Sequence, residues 1–329
     1  MQRVSSSALP SDLRDAIKGF LSAVPGADLG SRARSISQNY SAGRPSRRVI
    51  SSSADVAAYL ATRAPASFAA AAAAFSALRE RAPSLAPLSI LDAGSGPGMA
   101  SWAAIEQWPS IKSVALIDEN EEMVHAARAL CSRADNTVLR TAKFTRGAIG
   151  AGISECAYDL VVASYLIGEL RPADRREVLK SLWLSAARAL VLVEPGTPEG
   201  FARIRDARDS LANAGAEIAA PCPHARCCPV RAPDWCHFGQ TLPRSRDHMR
   251  AKGARLPFEV EKFSYLVLTR EVLLLPPEPR IIDRPSRDKI GAKFRICGEK
   301  DIFEHVILKR ERKSYRDAAH KKWGDTLPI

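Results

Sequence analysis

The sequence predicts a mixed α/β fold in which helices cover a parallel sheet, with a helical region before it and a cysteine-rich insertion after it. From residue 88 onward, short apolar runs alternate with helical segments, which is typical of a parallel sheet with helices on its faces. A stretch rich in proline and cysteine, residues 220–243, interrupts this alternation. We therefore divide the chain into a helical region 1–85, a cofactor-binding core 86–219, and a part 220–329 with the insertion, the last strands of the sheet and a basic segment.

The composition is that of a globular protein with a buried core. The 329 residues are 46% hydrophobic and 26% charged, which excludes a disordered or fibrous chain. No run approaches the roughly 20 apolar residues of a membrane span, so we expect no membrane association. The first residues lack the basic start and apolar core of a secretory signal, and Asp12 and Asp15 are atypical of an organelle transit peptide. We therefore expect a cytoplasmic protein.

The N-terminal region is predicted to be helical. The segments DLRDAIKGFL and VAAYLATRAPASFAAAAAAFSALRERA have apolar residues at helical spacing. Pro65 is expected to divide the second segment into two helices, because proline disrupts a helix interior. The polar stretch between the two segments, SRARSISQNYSAGRPSRR, is expected to be a connector.

The core is predicted to contain four strands and three helices. The strands lie in LSILDAG, SVALIDEN, YDLVVASYLIGEL and RALVLVEPG, and the helices lie in PGMASWAAIEQW, EEMVHAARALCSRA and DRREVLKSLWLSA. After the insertion, FSYLVLTREVLLL and AKFRIC are expected to form further strands, and KSYRDAAHKKW to form the last helix.

A glycine-rich loop between the first core strand and its helix indicates a cofactor site. The loop contains Asp92, Gly94, Gly96 and Gly98, and glycines there permit a tight turn and a close approach of backbone to ligand. Asp118 ends the second strand, where a carboxylate can accept hydrogen bonds from a ribose. This pairing resembles class I S-adenosylmethionine-dependent methyltransferases, with their Rossmann-like sheet. The resemblance implies that the loop passes the amino acid part of S-adenosylmethionine and that Asp118 binds its ribose. The alternative is a structural turn.

The residues after the third and fourth strands do not identify a catalytic group. Ser164, Tyr165 and Glu169 follow the third strand, and the carboxyl ends of parallel strands are where ligands bind. We include Ser164 among the cofactor-binding residues. The segment ASYLIGEL lacks the N/D-P-P-Y/F/W loop of methyltransferases that act on exocyclic nitrogens, and the strand ends contain no nucleophilic cysteine. Glu169 could be a general base, although a helix-capping or surface glutamate is the more ordinary interpretation.

Four of the seven cysteines are crowded into one short stretch. They are Cys222, Cys227, Cys228 and Cys236, in CPHARCCPVRAPDWCHF. In an intracellular protein this density indicates a metal site more than a disulfide framework. Zinc could be held by ligands from Cys222, His224, Cys228, Cys236 and His237. An iron–sulfur cluster requires four thiolates, and the distant Cys297 could be the fourth.

The net charge of +12 is concentrated in the C-terminal third. Residues 243–256 carry a balance of +4 and residues 280–323 a balance of +7, which together are eleven of the twelve charges. Such a distribution is typical of proteins that bind the phosphates of a nucleic acid, although a solvated basic surface would have the same composition.

The motifs LDAGSGPG, VVASYLIGEL, VEPGTPEGF, APCPHARCCP, DWCHFGQ and AAHKKWGD resemble the methyltransferase-like family of ribosomal small-subunit assembly factors, known from mitochondria and with bacterial relatives. The resemblance extends from about Tyr40 to the C-terminus. It implies that Cys222, Cys228, Cys236 and Cys297 hold a [4Fe–4S] cluster, with zinc as the alternative, and that Cys227 is an extra thiol. It also implies binding to the small ribosomal subunit and its rRNA during assembly or translation.

The sequence is therefore consistent with three functions. The first is a class I methyltransferase that binds S-adenosylmethionine and acts on the small ribosomal subunit. The second is an assembly factor that uses the methyltransferase fold as a scaffold without catalysis. The third is a zinc-containing methyltransferase of small molecules.

Overall fold

The computed structural model describes residues 8–24, 28–41, 45–149, 155 and 157–328. The helices are α1 Ser11–Ser22, α2 Leu29–Ser41, α3 Ser46–Val49, α4 Ser53–Thr62, α5 Ala64–Arg81, α6 Met99–Gln107, α7 Glu121–Cys131, α8 Thr137–Arg140, α9 Arg175–Ser185, α10 Pro198–Asn213, α11 Arg246–Lys252 and α12 Arg312–Ala318, with a 3-10 turn at Ile167–Glu169. The strands are β1 Ser89–Ala93, β2 Ser113–Asp118, β3 Lys143–Arg146, β4 Tyr158–Ser164, β5 Ala186–Pro195, β6 Glu217–Ala220, β7 Phe238–Pro243, β8 Phe258–Thr269, β9 Arg280–Ile281, β10 Ser286–Arg287, β11 Gly291–Cys297 and β12 Ile302–Leu308.

The main sheet has eight strands, in the order β3-β2-β1-β4-β5-β8-β6, with β7 also paired to β8. Strands β1 to β5 are parallel, whereas β8 is antiparallel to both β5 and β6. The order reverses at β1, which places a crevice at its carboxyl end. The prediction of a mixed α/β fold with a Rossmann-like parallel sheet is confirmed.

The sheet is buried on both faces because its strands are apolar at successive positions. Ile90 of β1 contributes to the core beneath α4, α5, α6 and α7, whereas its neighbour Leu91 contributes to the core beneath α9 and α10. The same division holds for the adjacent residues Val161 and Val162 of β4. Burial on both faces explains the continuous apolar runs that predicted the parallel strands.

Local capping sets the boundaries of several helices. The Ser52 side chain accepts a hydrogen bond from the Asp55 backbone N–H at the start of α4, and Asn120 does the same for Met123 in α7. Pro65 lies at the start of α5, so the predicted division of the alanine-rich segment is confirmed.

The predicted connector between the first two helical segments is wrong in part. It contains two further helices, α2 and α3. The stretch looks polar because only one side of α2 is buried, through residues such as Ala33 and Ile36. Two apolar contacts on an otherwise polar helix give a weak periodic pattern, and tertiary packing decides the helix.

The C-terminal part contributes to two sheets. Strand β8 belongs to the main sheet, and β9 to β12 form a separate four-stranded antiparallel sheet that packs on α12. Between β6 and β7, residues 221–237 form neither helix nor strand. The predicted strand FSYLVLTREVLLL ends at Thr269, since Glu271 has a φ of +51° and Leu273 is exposed.

None of the helices in the described ranges is both long enough and apolar enough to cross a bilayer.

Candidate functional site

The glycine loop lies at the carboxyl end of β1, in the crevice of the sheet. Gly94, Gly96 and Gly98 have φ angles of +65°, +51° and +86°, which side chains with a Cβ rarely adopt. At Gly98, a Cβ would also come within 2.9 Å of the Leu116 side chain. The loop conformation therefore requires the glycines that the sequence predicted as cofactor-binding.

Asp92 of β1 is buried beneath this loop, with 1% of its surface exposed. Its carboxylate accepts hydrogen bonds from the backbone N–H and the hydroxyl of Ser101, at 3.0 and 2.8 Å. Burial raises the pKa of Asp92 to about 7, although the two Ser101 hydrogen bonds oppose the rise. Asp92 thus ties β1 to α6 and supports the loop from beneath.

Asp118 holds the loop from the other side, at the end of β2. Its carboxylate accepts hydrogen bonds from the backbone N–H of Gly96 at 2.7 Å and of Asn120 at 2.8 Å. Burial raises the pKa of Asp118, and these two N–H groups oppose the rise. The structure therefore brings Asp118, the residue predicted to bind a ribose, into direct contact with the glycine loop.

Ser164 and Tyr165 end β4 in the same crevice. The Ser164 hydroxyl is buried and has no hydrogen-bond partner within the described part of the chain. Tyr165 has a φ of +61°, and its hydroxyl donates to the Glu261 carboxylate at 3.0 Å. Arg63 lies 3.5 Å from the same carboxylate. A strained non-glycine residue at the carboxyl end of a strand is a common feature of functional sites.

Glu169 connects this crevice to the N-terminal helices. Its carboxylate accepts a hydrogen bond from the backbone N–H of Ser46 at 2.7 Å, so Glu169 caps the short helix α3. Burial raises the pKa of Glu169 to about 7, and the hydrogen bonds from Ser46 oppose the rise. Glu169 therefore caps a helix, which is the first of the two ordinary interpretations that the sequence allowed.

The segment around α3 covers the glycine loop region. The Asn120 amide donates to the backbone oxygens of Ser46 and Ile50, at 3.2 and 2.9 Å. Leu166 packs on the loop itself, since a Cβ on Gly94 would be 2.7 Å from its side chain. These groups border the crevice, and the sequence did not identify them because they come from segments far apart in the chain.

Four cysteines line one cavity between α10, the loop 221–237 and β11. They are Cys222, Cys228, Cys236 and Cys297, the four that the sequence selected, whereas Cys227 is exposed. Burial raises the pKa of Cys297 to about 12, and Cys222 and Cys228 add to the rise. Cys131 is buried on α7, and Cys156 lies outside the described residues. The fold therefore gathers side chains that are up to 75 residues apart in sequence.

The thiols are not arranged around a single metal ion. Within the described ranges, no three His, Cys, Asp or Glu side chains converge on a position that could hold one ion. His224 is buried in the same cavity, with Nε2 3.7 Å from the Cys297 sulfur and Nδ1 without a partner there. Tetrahedral zinc requires four ligands about 2.3 Å from one point, so these positions do not form a ready zinc site.

The cysteine loop also contacts the carboxyl end of the main sheet. The Trp235 indole N–H donates to the backbone oxygen of Gly196, which directly follows β5, at 2.9 Å. Arg203 of α10 pairs with the buried Glu194 carboxylate at 2.6 Å. Glu194 and Gly196 lie at the end of the predicted strand RALVLVEPG, but the sequence gave no signal for these partners.

The excess positive charge lies partly in ion pairs and partly on an exposed surface. Lys252 pairs with Glu259, and Lys293 pairs with Glu304. In contrast, five exposed basic residues cluster on and just before α12: Lys309, Arg310, Arg312, Lys313 and Arg316. We call these five residues the basic α12 surface.

Comparison with known proteins identifies a family. The model of the mitochondrial small ribosomal subunit Rsm22 family matches residues 53–328. The human "Ribosome assembly protein METTL17, mitochondrial" is 31% identical over 295 residues, which cover 82% of this chain and 62% of the relative. "Rsm22-cox11 tandem protein 2, mitochondrial" of Schizosaccharomyces pombe is 28% identical over 294 residues, 73% of this chain and 38% of the relative. The chain thus spans less than two thirds of the length of these relatives.

Solved structures with similar folds are more distant. The magnesium protoporphyrin IX methyltransferase of Synechocystis, with bound S-adenosylmethionine, is 18% identical, with a TM-score of 0.35 and coverage of 56% of this chain and 71% of that one. The precorrin-6y C5,15-methyltransferase of Geobacter metallireducens is 15% identical, with a TM-score of 0.39 and coverage of 61% and 86%.

The cytoplasmic prediction is contradicted by the family and the curated relatives, all of which are described as mitochondrial. The prediction depended on charge near the start of the sequence. Targeting signals are read separately from the fold, so two acidic residues are a weak indicator of compartment.

Proposed function

The chain belongs to the mitochondrial small ribosomal subunit Rsm22 family, and on that premise we propose that it acts in assembly of the mitochondrial small ribosomal subunit through contact with rRNA. The observation that carries the proposal is the family match over residues 53–328, together with a 31% identical relative that is named a ribosome assembly protein. The exposed basic α12 surface supports rRNA as the contact, because phosphates supply affinity to clustered Lys and Arg.

Binding to small subunits tests this proposal directly. Replacing Arg312, Lys313 and Arg316 by Gln should weaken co-sedimentation and reduce the slope of log affinity against log salt by about 0.7–0.9 for each phosphate that the variant no longer neutralises. The matched control replaces three exposed basic residues far along the chain, Arg14, Lys18 and Arg176. Equal effects of the two triple variants would contradict a specific α12 contact.

S-adenosylmethionine is the proposed cofactor, held by Asp92, Gly94, Gly96, Gly98, Asp118 and Ser164. The positive φ angles of the loop and the buried Asp118 carboxylate support this role. Asp118→Asn keeps the size of the side chain but removes the charge that would accept ribose hydroxyls. It should weaken binding of S-adenosylmethionine in calorimetric titration by about 10-fold or more, since a charged hydrogen bond contributes about 1.5–3 kcal/mol. The exposed neighbour Glu119→Gln serves as the control.

A [4Fe–4S] cluster is the proposed occupant of the cysteine cavity. Four cysteines that line one cavity support this occupant, because an iron–sulfur cluster requires four thiolates. Such a cluster would join the loop 221–237 to β11. Anaerobic purification with measurement of iron, sulfide and zinc tests it: Cys297→Ser should lose iron and visible absorbance, whereas Cys227→Ser should retain both. Zinc without iron would favour a zinc site in place of the cluster. It would also favour the third function, a zinc-containing methyltransferase of small molecules.

The non-enzymatic scaffold is a second candidate because protein groups contact the glycine loop and its neighbours. Leu166 lies on the glycine loop, and α3 is joined to Glu169 and Asn120. Incubation of immature small subunits with radiolabelled S-adenosylmethionine separates the two functions. Label incorporated by the wild type and absent with Asp118→Asn establishes methyl transfer, and no incorporation despite measurable cofactor binding favours the scaffold.

A further inference from the structure

Two arginines lie almost fully buried beside the cysteine cavity. The exposed fractions of Arg208 on α10 and Arg280 on β9 are 3% and 2%. Backbone carbonyls hold both guanidinium groups. Arg208 donates to the oxygens of His224, at 3.1 Å, and of Arg226, and Arg280 donates to the oxygen of Pro221 at 2.7 Å. The carbonyls fix the positions of these groups but supply no negative charge.

Carboxylates do not balance these two charges. Arg208 has one, Asp209 at 2.8 Å, whose side chain is 49% exposed and therefore screened by water. No carboxylate among the described residues pairs with Arg280. A buried guanidinium without a counter-charge is strongly unfavourable, so a fold that retains two of them needs negative charge nearby.

The groups in position to supply that charge are the four thiols. Arg208 lines the same cavity as Cys222, Cys228, Cys236 and Cys297. Arg280 donates to the oxygen of Pro221, the residue before Cys222, and stands opposite Cys297 where β9 pairs with β11.

We infer that Arg208 and Arg280 are the counter-ions of the four-cysteine site, and that this site holds a net dianion. The inference rests on the proposed metal occupancy. Four thiolates carry four negative charges, and a [4Fe–4S] core or a zinc ion in its 2+ state leaves a balance of two. The two fixed guanidinium groups neutralise this net charge of −2. Arg208 and Arg280 are therefore positioning residues, because they favour a bound group that leaves the site with two negative charges.

The experiment compares metal retention in the full chain, purified anaerobically. Arg208→Gln and Arg280→Gln should lose iron to a chelator about 10-fold faster than the wild type, as is typical when a partner of metal ligands is removed. Arg280→Lys, which keeps the charge, should retain more iron than Arg280→Gln. Arg205→Gln is the control, because Arg205 lines the same cavity but its guanidinium lies over the Phe201 ring.

A second measurement separates charge from structure. A counter-ion stabilises the metal-loaded chain more than the metal-free chain, whose thiols are protonated. Arg208→Gln and Arg280→Gln should therefore lower the melting temperature of the metal-loaded chain more than that of the metal-free chain. The Gln variants should also lower the midpoint reduction potential of an iron cluster, because a nearby positive charge is removed. Arg280→Lys should restore that potential. Equal melting shifts in both forms, or iron loss no faster than in the Arg205 control, would overturn the inference. If the Gln variants do not fold, a folded Arg280→Lys that has lost its metal overturns it. A wild type without metal overturns the proposed cluster and the inference together.

Discussion

Replacing Asp92 by Asn should stabilise the protein at neutral and alkaline pH. Asp92 is 1% exposed, and its one engaged oxygen accepts both hydrogen bonds from Ser101. An Asn amide oxygen can take over this acceptor position without the charge. The variant therefore removes a buried ionisable group and keeps the contact between β1 and α6.

The magnitude follows from the pKa of Asp92, which burial raises from 3.8 to about 7. The folded state retains the proton where the unfolded state has lost it, so the stability of the wild type falls as pH rises from about 4 to about 7, and is level above that. At about 1.4 kcal/mol per pKa unit, the loss between pH 5 and pH 8 is about 3 kcal/mol. The new side-chain amide N–H groups would cost about 1–3 kcal/mol if they find no acceptor, at any pH.

The assay is urea unfolding of the wild type, Asp92→Asn and the exposed control Asp206→Asn at pH 5 and pH 8. The free energy of unfolding of Asp92→Asn, relative to the wild type, should become more favourable by about 3 kcal/mol between the two pH values. The control should show no such change. A difference between Asp92→Asn and the wild type that is independent of pH would contradict this prediction, because Asp92 would then already be ionised in the folded protein at pH 5.

Three further predictions concern other parts of the fold. Trp235→Phe removes the indole hydrogen bond to the Gly196 oxygen and should lower the free energy of unfolding by about 1 kcal/mol in urea titrations; no change would show that the contact is dispensable. Gly98→Ala, at a φ of +86°, should lower it by about 1–3 kcal/mol, whereas Gly147→Ala, where a Cβ has open space, should not, and similar losses would exclude backbone strain as the cause. Burial opposes the charge on Glu259, yet hydrogen bonds and positive charges from α11 hold its pKa well below the usual range. Its stabilisation is therefore complete above about pH 5 and is lost as pH falls, so Glu259→Gln should be less stable than the wild type at pH 6 and approach it at pH 3 in thermal melts.

The local sequence was sufficient for the features that depend on neighbours in the chain. The four parallel core strands and the break at Pro65 follow from apolar runs and from proline stereochemistry, and all are present. The need for glycine at positions 94, 96 and 98 follows from the turn between β1 and α6. These features depend on interactions within a few residues, which a sequence displays directly.

Tertiary structure determined which side chains surround the two candidate sites, the glycine loop and the cysteine cavity. Leu166 on the glycine loop, Ser46 against Glu169 and the arginines at the thiol cavity come from segments far apart in the chain, and no local pattern marks them. Helix α2 was missed for the same reason, since only its packing makes it a helix. The sequence by itself determined which residue types are available for a cofactor and a metal. Long-range packing determined their burial, and burial raises the pKa of Asp92 and Glu169 to about 7 and that of Cys297 to about 12.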